Sequence, residues 1–408
     1  MELDSYFKLM KYRSLILVFI LLVLSGCENY APEERNFPIL KTLTPVDVDS
    51  SGATFMAEVV RKGTMETTSY GFLLNNSGEP EDHGAFKVIV GDKIEACDYK
   101  VRLDHALVSG YEYKIRAFAT FNGSTVYGDV VKIQSMGSSK CPWSVRLNDI
   151  SLEGWFKSVS SSTDEKGLIV FQSSHAYEYD PERNEINAIS NFPLTGNSGT
   201  LFACANLNNS IYFLQNINKQ VYEFDNGAWS LVANGQNNLW YNTPYIGISS
   251  NGIVYALSSI EAVSFDPSTN STSQWYPLPM DIGGLMGGCQ LNDISYIITT
   301  SKEIWRTEYP FTNRVLAGTY PGKLIGKAFA FVSGSKIFIG SAGSKDVWVW
   351  DTATKIWSEI DQFPAASVTW SDIFSFTVKS KFYVGIKSNG SNYTILRFDP
   401  SKIESHWD

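Results

Sequence analysis

A short phrase recurs along the C-terminal two thirds of the chain, and its period restricts the fold more than any other feature. The phrase is a strand of apolar and aromatic residues that ends in an Asp, as in VWVWD at Val347–Asp351. Successive copies end 45, 41, 41, 44 and 48 residues apart. A near-constant period of about 40–50 residues is typical of repeats that must stack on one another to bury their apolar faces. The copies are AYEYD ending at Asp180, VYEFD at Asp225, AVSFD at Asp266, the weaker EIWRT at Thr307, VWVWD at Asp351 and ILRFD at Asp399.

Each copy belongs to a unit of four predicted strands. A second strand precedes the phrase at short range, as in GLIVF at 167–171. A strand of small residues comes before that, as in GTLFACANL at 199–207, and small side chains suit a crowded central shaft. Four short strands per repeat predict a β-propeller blade. A Trp often opens the fourth strand, as at Trp229, Trp275, Trp357 and Trp407.

The segment 140–408 is therefore predicted to form a six-bladed β-propeller. It resembles the Kelch-type propellers of the galactose-oxidase-like superfamily in its aromatic-Asp-Pro step followed by a Trp, as at Asp266-Pro267 and Asp399-Pro400. Asp and Pro in these positions turn the chain between the third and fourth strands. The paired glycines of a typical Kelch repeat are mostly missing. The segment that begins at Trp143 is predicted to close the ring against the last blade.

A different pattern, with period two, fills residues 37–136. In YEYKIRAFATF at 111–121 apolar and polar residues alternate, as in a half-buried strand. Several such strands separated by turn residues predict a small β-sandwich, so the whole chain is predicted to be all-β. The segment resembles a fibronectin type III-like module of Bacteroidetes surface proteins, through Gly71-Phe72 and LVSGYEY at 107–113. The resemblance implies that the hydroxyl of Tyr113 ties a loop to its strand.

The N-terminus predicts export. An apolar run from Leu15 to Gly26 follows several basic residues and is shorter than the about 20 residues that span a bilayer, so residues 1–26 read as a signal peptide. Leu24-Ser25-Gly26-Cys27 resembles the bacterial lipobox, which implies acylation of Cys27. A free cysteine after an ordinary signal is the alternative. Translation from Met10 would give a more typical signal than translation from Met1, and both starts stay open.

Acyl chains on Cys27 would anchor the chain to a membrane without crossing it. Residues 27–36 are polar, contain Pro32 and read as a tether. We therefore expect an outer-membrane lipoprotein of the cell envelope, and the membrane face stays open.

Composition excludes several classes of function. The formal net charge is −9 and no dense Lys/Arg cluster follows residue 36, so no nucleic-acid partner is expected. Copper oxidases of the superfamily use two His and two Tyr with a Tyr-Cys cross-link. Two of the four His lie in the sandwich segment, and the remaining His175 and His406 are remote in the sequence and cannot match that set, so no metal and no cofactor are expected. The four Cys after Cys27 form no CxxC pair and read as free thiols. Because GxSxG, HExxH and P-loop motifs are absent, an enzyme is not favoured.

What remains is a binding face. In a blade whose strands alternate in direction, the loops from the fourth strand to the next first strand share a face with the loops from second to third strands. The loop NGQNNLWYNTPY at 234–245 is the longest of these and mixes amides with aromatics. Aromatic rings stack on the C–H faces of sugars while amides bond their hydroxyls; packing of these aromatics at blade ends is the alternative. The candidate ligand-binding residues are Trp240, Tyr241, Asn242, Asp281, Tyr320, Lys323, Trp370 and Asp372.

Three hypotheses follow for the function. The first is a binding protein whose propeller recognises an extracellular ligand, a glycan. The second is a protein-interaction scaffold or adhesin, which predicts an apolar patch on one rim. The third is a sugar-acting enzyme, for which Asp281 and Asp372 are the carboxylate pair. Separately, Asp351-Thr352-Ala353 matches a short acceptor motif that makes Thr352 a candidate for O-glycosylation.

Overall fold

The structure is a computed structural model, and almost all of its regular secondary-structure elements are β-strands. No helix in this part of the chain is long and apolar enough to cross a membrane. The prediction of an all-β chain is confirmed. The described residues are 36–76, 78–81, 85–95, 97–153, 158–171, 173–193, 202–215, 219–234, 246–258, 261–275, 284–309, 311, 313–360, 363, 373–389 and 392–403.

Two sheets that share one core form the N-terminal unit. Their strand orders are β1-β2-β5 and β4-β3-β6-β7, all pairs antiparallel. Along β6 the alternation places Tyr113, Ile115, Ala117 and Ala119 in the core, as its period of two predicts. The strands are β1 (Ile39–Asp49), β2 (Gly52–Arg61), β3 (Ser69–Asn75), β4 (Phe86–Gly91), β5 (Asp98–Leu103), β6 (Glu112–Phe121) and β7 (Ser124–Gln134).

Tyr113 ties a loop to its strand, as the resemblance implied. Its hydroxyl accepts a hydrogen bond from the Val108 amide at 3.0 Å and donates one to the Ala106 carbonyl at 3.3 Å. Burial raises the pKa of Tyr113, so the hydroxyl keeps its proton and can donate.

Replacement of Tyr113 by Phe is expected to lower the free energy of unfolding by about 1–3 kcal/mol, because the buried Val108 amide loses its partner. Chemical denaturation measures the change. Tyr111→Phe is the matched control, since the Tyr111 hydroxyl bonds no described residue. Equal stability of Tyr113→Phe and the unsubstituted chain would show that the tie contributes nothing.

Six further four-stranded sheets follow one another along the chain. Five are simple antiparallel meanders, β9–β12, β13–β16, β17–β20, β21–β24 and β25–β28, and the sixth has the order β29-β30-β31-β8. The strands are β8 (Trp143–Ser151), β9 (Ser158–Ser162), β10 (Gly167–Phe171), β11 (Ala176–Asp180), β12 (Glu185–Ala188), β13 (Phe202–Leu207), β14 (Ser210–Gln215), β15 (Gln220–Asp225), β16 (Ala228–Asn234), β17 (Ile246–Ser250), β18 (Ile253–Leu257), β19 (Ala262–Asp266), β20 (Ser271–Trp275), β21 (Leu285–Leu291), β22 (Ile294–Thr299), β23 (Glu303–Glu308), β24 (Arg314–Thr319), β25 (Ala328–Ser333), β26 (Lys336–Ser341), β27 (Val347–Asp351), β28 (Trp357–Ile360), β29 (Ile373–Val378), β30 (Lys381–Asn389) and β31 (Asn392–Phe398).

The first strands of these sheets touch one another in a closed cycle. β9 contacts β13, and contacts continue through β17, β21, β25 and β29 back to β9. Sheets stacked around an axis with their first strands innermost form a β-propeller. Each copy of the repeated phrase forms the third strand of its sheet, as at Val347–Asp351.

The last sheet is closed by a strand from the beginning of the ring. β8 pairs with β31 and places Trp143 opposite Phe398. This register matches Trp357 opposite Trp350 in the sheet before. The prediction that the segment from Trp143 closes the ring is confirmed, and it corrects the fourth-strand assignment of Trp407, because β8 holds that position. Trp407 itself lies outside the described residues.

The first strands approach one another so closely that glycine is required at some positions. A Cβ at Gly247 would lie 1.9 Å from the Cys204 carbonyl oxygen of the neighbouring sheet. A Cβ at Gly287 would lie 2.5 Å from the Ala328 carbonyl oxygen. The small residues of the first strands therefore set the spacing of the sheets around the axis.

The sandwich packs directly against the closing sheet. Val108 belongs to the same core cluster as Trp143, and Tyr111 packs onto it. The Val145 amide donates a hydrogen bond to the Ser109 carbonyl at 3.3 Å. The corner loop that Tyr113 holds is thus also the contact between the two units.

Candidate functional site

The ring has two faces with different connections. We call the face that carries the second-to-third and fourth-to-first connections the loop face, and the opposite one the turn face. Six of the predicted ligand-binding residues lie outside the described residues: Trp240, Tyr241, Asn242, Asp281, Trp370 and Asp372. The predicted lipidation site Cys27 also lies outside them.

Tyr320 is described, and its assignment as a ligand-binding residue is wrong. Its side chain is 1% exposed and packs edge-on against Trp357. Its hydroxyl donates toward the Asp346 carbonyl at 3.0 Å. The ring therefore packs the end of a sheet, which was the alternative considered for aromatics of this face.

Lys323 lies on the loop face with an exposed side chain. Its amide donates a hydrogen bond to the Asp346 carboxylate at 2.9 Å. This bond joins the connection 320–327 to the neighbouring connection 342–346. Two more bonds hold the same pair of loops, from the Ile325 amide to Ser341 Oγ at 3.0 Å and from the Gly343 amide to the Ile325 carbonyl at 2.9 Å. Lys323 is thus placed on a fixed loop.

Thr352 lies apart from the others, in a third-to-fourth turn on the turn face. Its hydroxyl donates to the Ser335 carbonyl at 2.7 Å. Asp351 holds the turn by accepting the amides of Ala353 and Thr354, which lowers its pKa. Modification of Thr352 stays a prediction, and the hydroxyl would have to leave Ser335 to be glycosylated.

Lys327 is a feature of the loop face that the sequence reasoning did not find. Its backbone is fixed by the Ala342 amide, which donates to the Lys327 carbonyl at 3.0 Å. Its ammonium donates to the Ser158 carbonyl at 2.9 Å. Residues 327 and 158 stand at the starts of β25 and β9, whose sheets are separated by the closing sheet. The side chain therefore reaches across the mouth of the central channel and gives it a positive charge.

Serine side chains line the neighbouring wall. Ser160 Oγ donates to the Ser375 carbonyl at 2.7 Å and accepts from the Ser375 amide at 3.1 Å. The Ser162 hydroxyl donates to the Thr377 carbonyl. These bonds link the first strands β9 and β29 through side chains, so the channel is polar on this side.

The described residues of the site offer hydrogen bonds and charge, and neither Cys204 nor Cys289 is an activated nucleophile. Burial raises the pKa of Cys204 and of Cys289 to about 12, so both thiols stay protonated at neutral pH. The positive charge of Lys327 opposes this shift at Cys204 but does not overcome it. All four described cysteines are free. The described part of the chain contains no cluster of three His, Cys, Asp or Glu that could hold a metal ion. The described side chains at the mouth are polar, and Lys327 adds one positive charge.

No family model and no curated protein matches the sequence. Among solved structures, YjhT is similar over 61% of this chain and 95% of its own, with 12% identity and a TM-score of 0.47. A Bacteroides thetaiotaomicron protein described as an auxiliary nutrient binding protein is similar over 88% of this chain and 98% of its own, with 9% identity and a TM-score of 0.46. A B. thetaiotaomicron protein of unknown function is similar over 91% and 100%, with 9% identity and a TM-score of 0.45.

Proposed function

We propose that the chain is a lipid-anchored envelope protein of a Bacteroidetes-like bacterium, in which a fibronectin type III-like sandwich carries a six-bladed Kelch-like propeller that binds an extracellular glycan. The observation that carries the binding role is the polar loop face, where Lys327 reaches across the channel mouth to Ser158. The lipobox at Cys27 supports the anchor, and the six sheets in a closed cycle support the blade number.

A glycan suits this face for chemical reasons. Sugars present many hydroxyls, which amides, carbonyls and an ammonium bind in fixed directions. The sequence between β16 and β17 contains amides and aromatics at residues 235–245. An acidic sugar would gain most from the positive charge of Lys327.

Affinity electrophoresis against a panel of polysaccharides tests this function. The chain 28–408, which follows the predicted lipidation site, is expected to be retarded by at least one polysaccharide. Trp240→Ala is expected to lose the retardation and Lys327→Met to weaken it about tenfold, which corresponds to loss of one charge-assisted hydrogen bond. Tyr309→Ala is the control, since Tyr309 is an exposed aromatic of the turn face. Retardation unchanged in Trp240→Ala and Lys327→Met would place the sugar elsewhere.

One observation favours the scaffold hypothesis as second candidate. A groove of about 370 Å³ on the turn face has an apolar floor that includes Phe338, Val349 and Ile403. Ile356 on its edge is 62% exposed. An apolar groove with an exposed edge fits a protein partner better than a sugar. A partner that copurifies with the chain and is lost in Ile356→Asp, with no polysaccharide retained, would favour this candidate.

The sugar-acting enzyme stays the third candidate. It requires Asp281 and Asp372 to converge, and turnover of a polysaccharide that survives Asp281→Asn with Asp372→Asn would exclude this pair as its catalytic carboxylates.

A further inference from the structure

Two arginines on the turn face stand side by side, and neither pairs with a carboxylate of the described residues. Arg397 is the residue before Phe398 near the end of β31, and Arg146 lies in the adjacent strand β8. The Arg146 guanidinium donates a hydrogen bond to the Tyr179 hydroxyl. Burial raises the pKa of Tyr179 and of Tyr383, and the positive charges of Arg146 and Arg397 oppose that rise. The two tyrosine rings meet edge to face at 5.3 Å. The four side chains lie between the closing sheet and the first sheet of the ring, and we call them the arginine cluster.

A β-bulge brings Arg146 into the arginine cluster. In the pairing of β8 with β31, Val145 lies opposite Leu396 and Leu147 opposite Ile395, so Arg146 is an extra residue. Without the bulge, Arg146 and Leu147 would point to opposite faces of the sheet. With it, Leu147 packs into the core shared with the first sheet while Arg146 reaches the same side. A bulge that re-aims one side chain in this way is a common device beside binding sites.

The guanidinium groups keep unused donors. The Nε atoms of Arg146 and Arg397 are buried and have no hydrogen-bond partner. Arg146 Nη2 donates weakly to the Pro181 carbonyl at 3.4 Å, and Arg397 pairs with no carboxylate of the described residues. A buried donor without a partner costs about 1–3 kcal/mol, and charged donors cost more. A bound anion would supply the missing acceptors.

The acidic groups nearby are already engaged. Asp180 accepts the amides of Glu182 and Arg183 at 2.9 and 3.1 Å, which lowers its pKa. Glu182 pairs with Lys379. The Tyr179 hydroxyl donates to Asn184 Oδ1 at 3.0 Å. Neither carboxylate forms an ion pair with Arg146 or Arg397.

We propose that Arg146 and Arg397 bind a small oxyanion on the turn face, a sulfate, phosphate or carboxylate group of a ligand. Guanidinium groups present planar pairs of donors that match two oxygens of such a group, and two of them give it four donors or more. Arg146 comes from the start of the ring and Arg397 from its end, so the site is complete only when the closing sheet has formed. The proposal is independent of the glycan function, because it concerns the opposite face.

Isothermal titration of chain 28–408 with sodium sulfate at low ionic strength tests the site, with inorganic phosphate and glucuronate as further titrants and sodium chloride at matched ionic strength as the blank. Saturable binding of sulfate is expected, and Arg397→Gln is expected to weaken it at least tenfold. Arg397→Lys keeps the charge but lacks the planar donors. Its affinity for sulfate is expected to lie between that of the unsubstituted chain and that of Arg397→Gln. Sulfate and phosphate binding without glucuronate would define a tetrahedral oxyanion site; glucuronate binding would extend it to carboxylates.

Arg183→Gln is the matched control, because Arg183 is a nearby exposed arginine and its removal changes the net charge equally. It is expected to leave sulfate binding unchanged. Thermal denaturation in sulfate and in chloride separates binding from folding, since a purely structural arginine would lower both melting temperatures by the same amount. Absence of binding by all three anions, or binding that persists in both Arg397→Gln and Arg146→Gln, overturns the proposal.

Discussion

Replacement of Trp143 by Ala is expected to lower the free energy of unfolding by about 3–5 kcal/mol, the largest effect of any single side chain in the closing sheet. The indole is 2% exposed and packs on three rings: Phe398 at 4.7 Å, Phe363 at 5.0 Å and Phe329 at 6.3 Å between centroids. Truncation would leave a cavity where the closing sheet meets the sheet before it and the sandwich. Urea denaturation followed by circular dichroism measures the change.

Trp229→Ala is the matched control for this prediction. Trp229 lies opposite Phe224 in the register that Trp143 and Phe398 share, but its side chain is only half-buried. We expect a clearly smaller loss of stability there, because less apolar surface returns to water. If both substitutions lowered the free energy of unfolding equally, the position of Trp143 in the closing sheet would add nothing to its contribution to stability.

Replacement of Gly247 by Ala is expected to destabilise the ring by about 1–3 kcal/mol, although Ala is normally preferred to Gly in a strand. The added methyl group would overlap the Cys204 carbonyl oxygen, a backbone atom that cannot rotate away. The first strands β13 and β17 would have to separate, and neighbouring sheets would move with them. Thermal and urea denaturation both report the change.

Gly318→Ala provides the comparison, since the nearest atoms to a Cβ there lie 3.9 Å away in Trp350 and Trp357. This substitution should change the free energy of unfolding by no more than about 1 kcal/mol. If Gly247→Ala were equally neutral, the close approach of the first strands would not limit the sequence of the ring.

Much of the fold was predictable because it depends on local periods. The alternation in β6 and the spacing of the repeated phrase are both set by side chains that must face a core. Both patterns are therefore visible in the amino-acid sequence. The closing strand was also predictable, because Trp143 repeats the aromatic opposite Phe398 that other sheets carry. Asp residues such as Asp351 accept backbone amides in the turn that follows the third strand, so they mark where that strand ends.

The functional surface was less predictable, for physical reasons. Tyr320 reads as a loop aromatic, but its hydroxyl finds carbonyl partners in β26 and in the connection 342–346. Lys327 reads as an ordinary turn lysine, and its role depends on the distance across the channel to Ser158. Arg146 and Arg397 are far apart in the chain and meet only through a bulge and the closure of the ring. None of these relations leaves a local pattern in the sequence.

The closing sheet also has a consequence for the order in which the protein can fold. Ser151 of β8 and its partner Asn392 of β31 are 241 positions apart in the chain. During synthesis β8 therefore emerges early and waits, with unpaired edge groups, until the last three strands have followed. Contacts of such long range make folding slow. A chain interrupted before β31 keeps an open edge on β8, which strands of other chains can join.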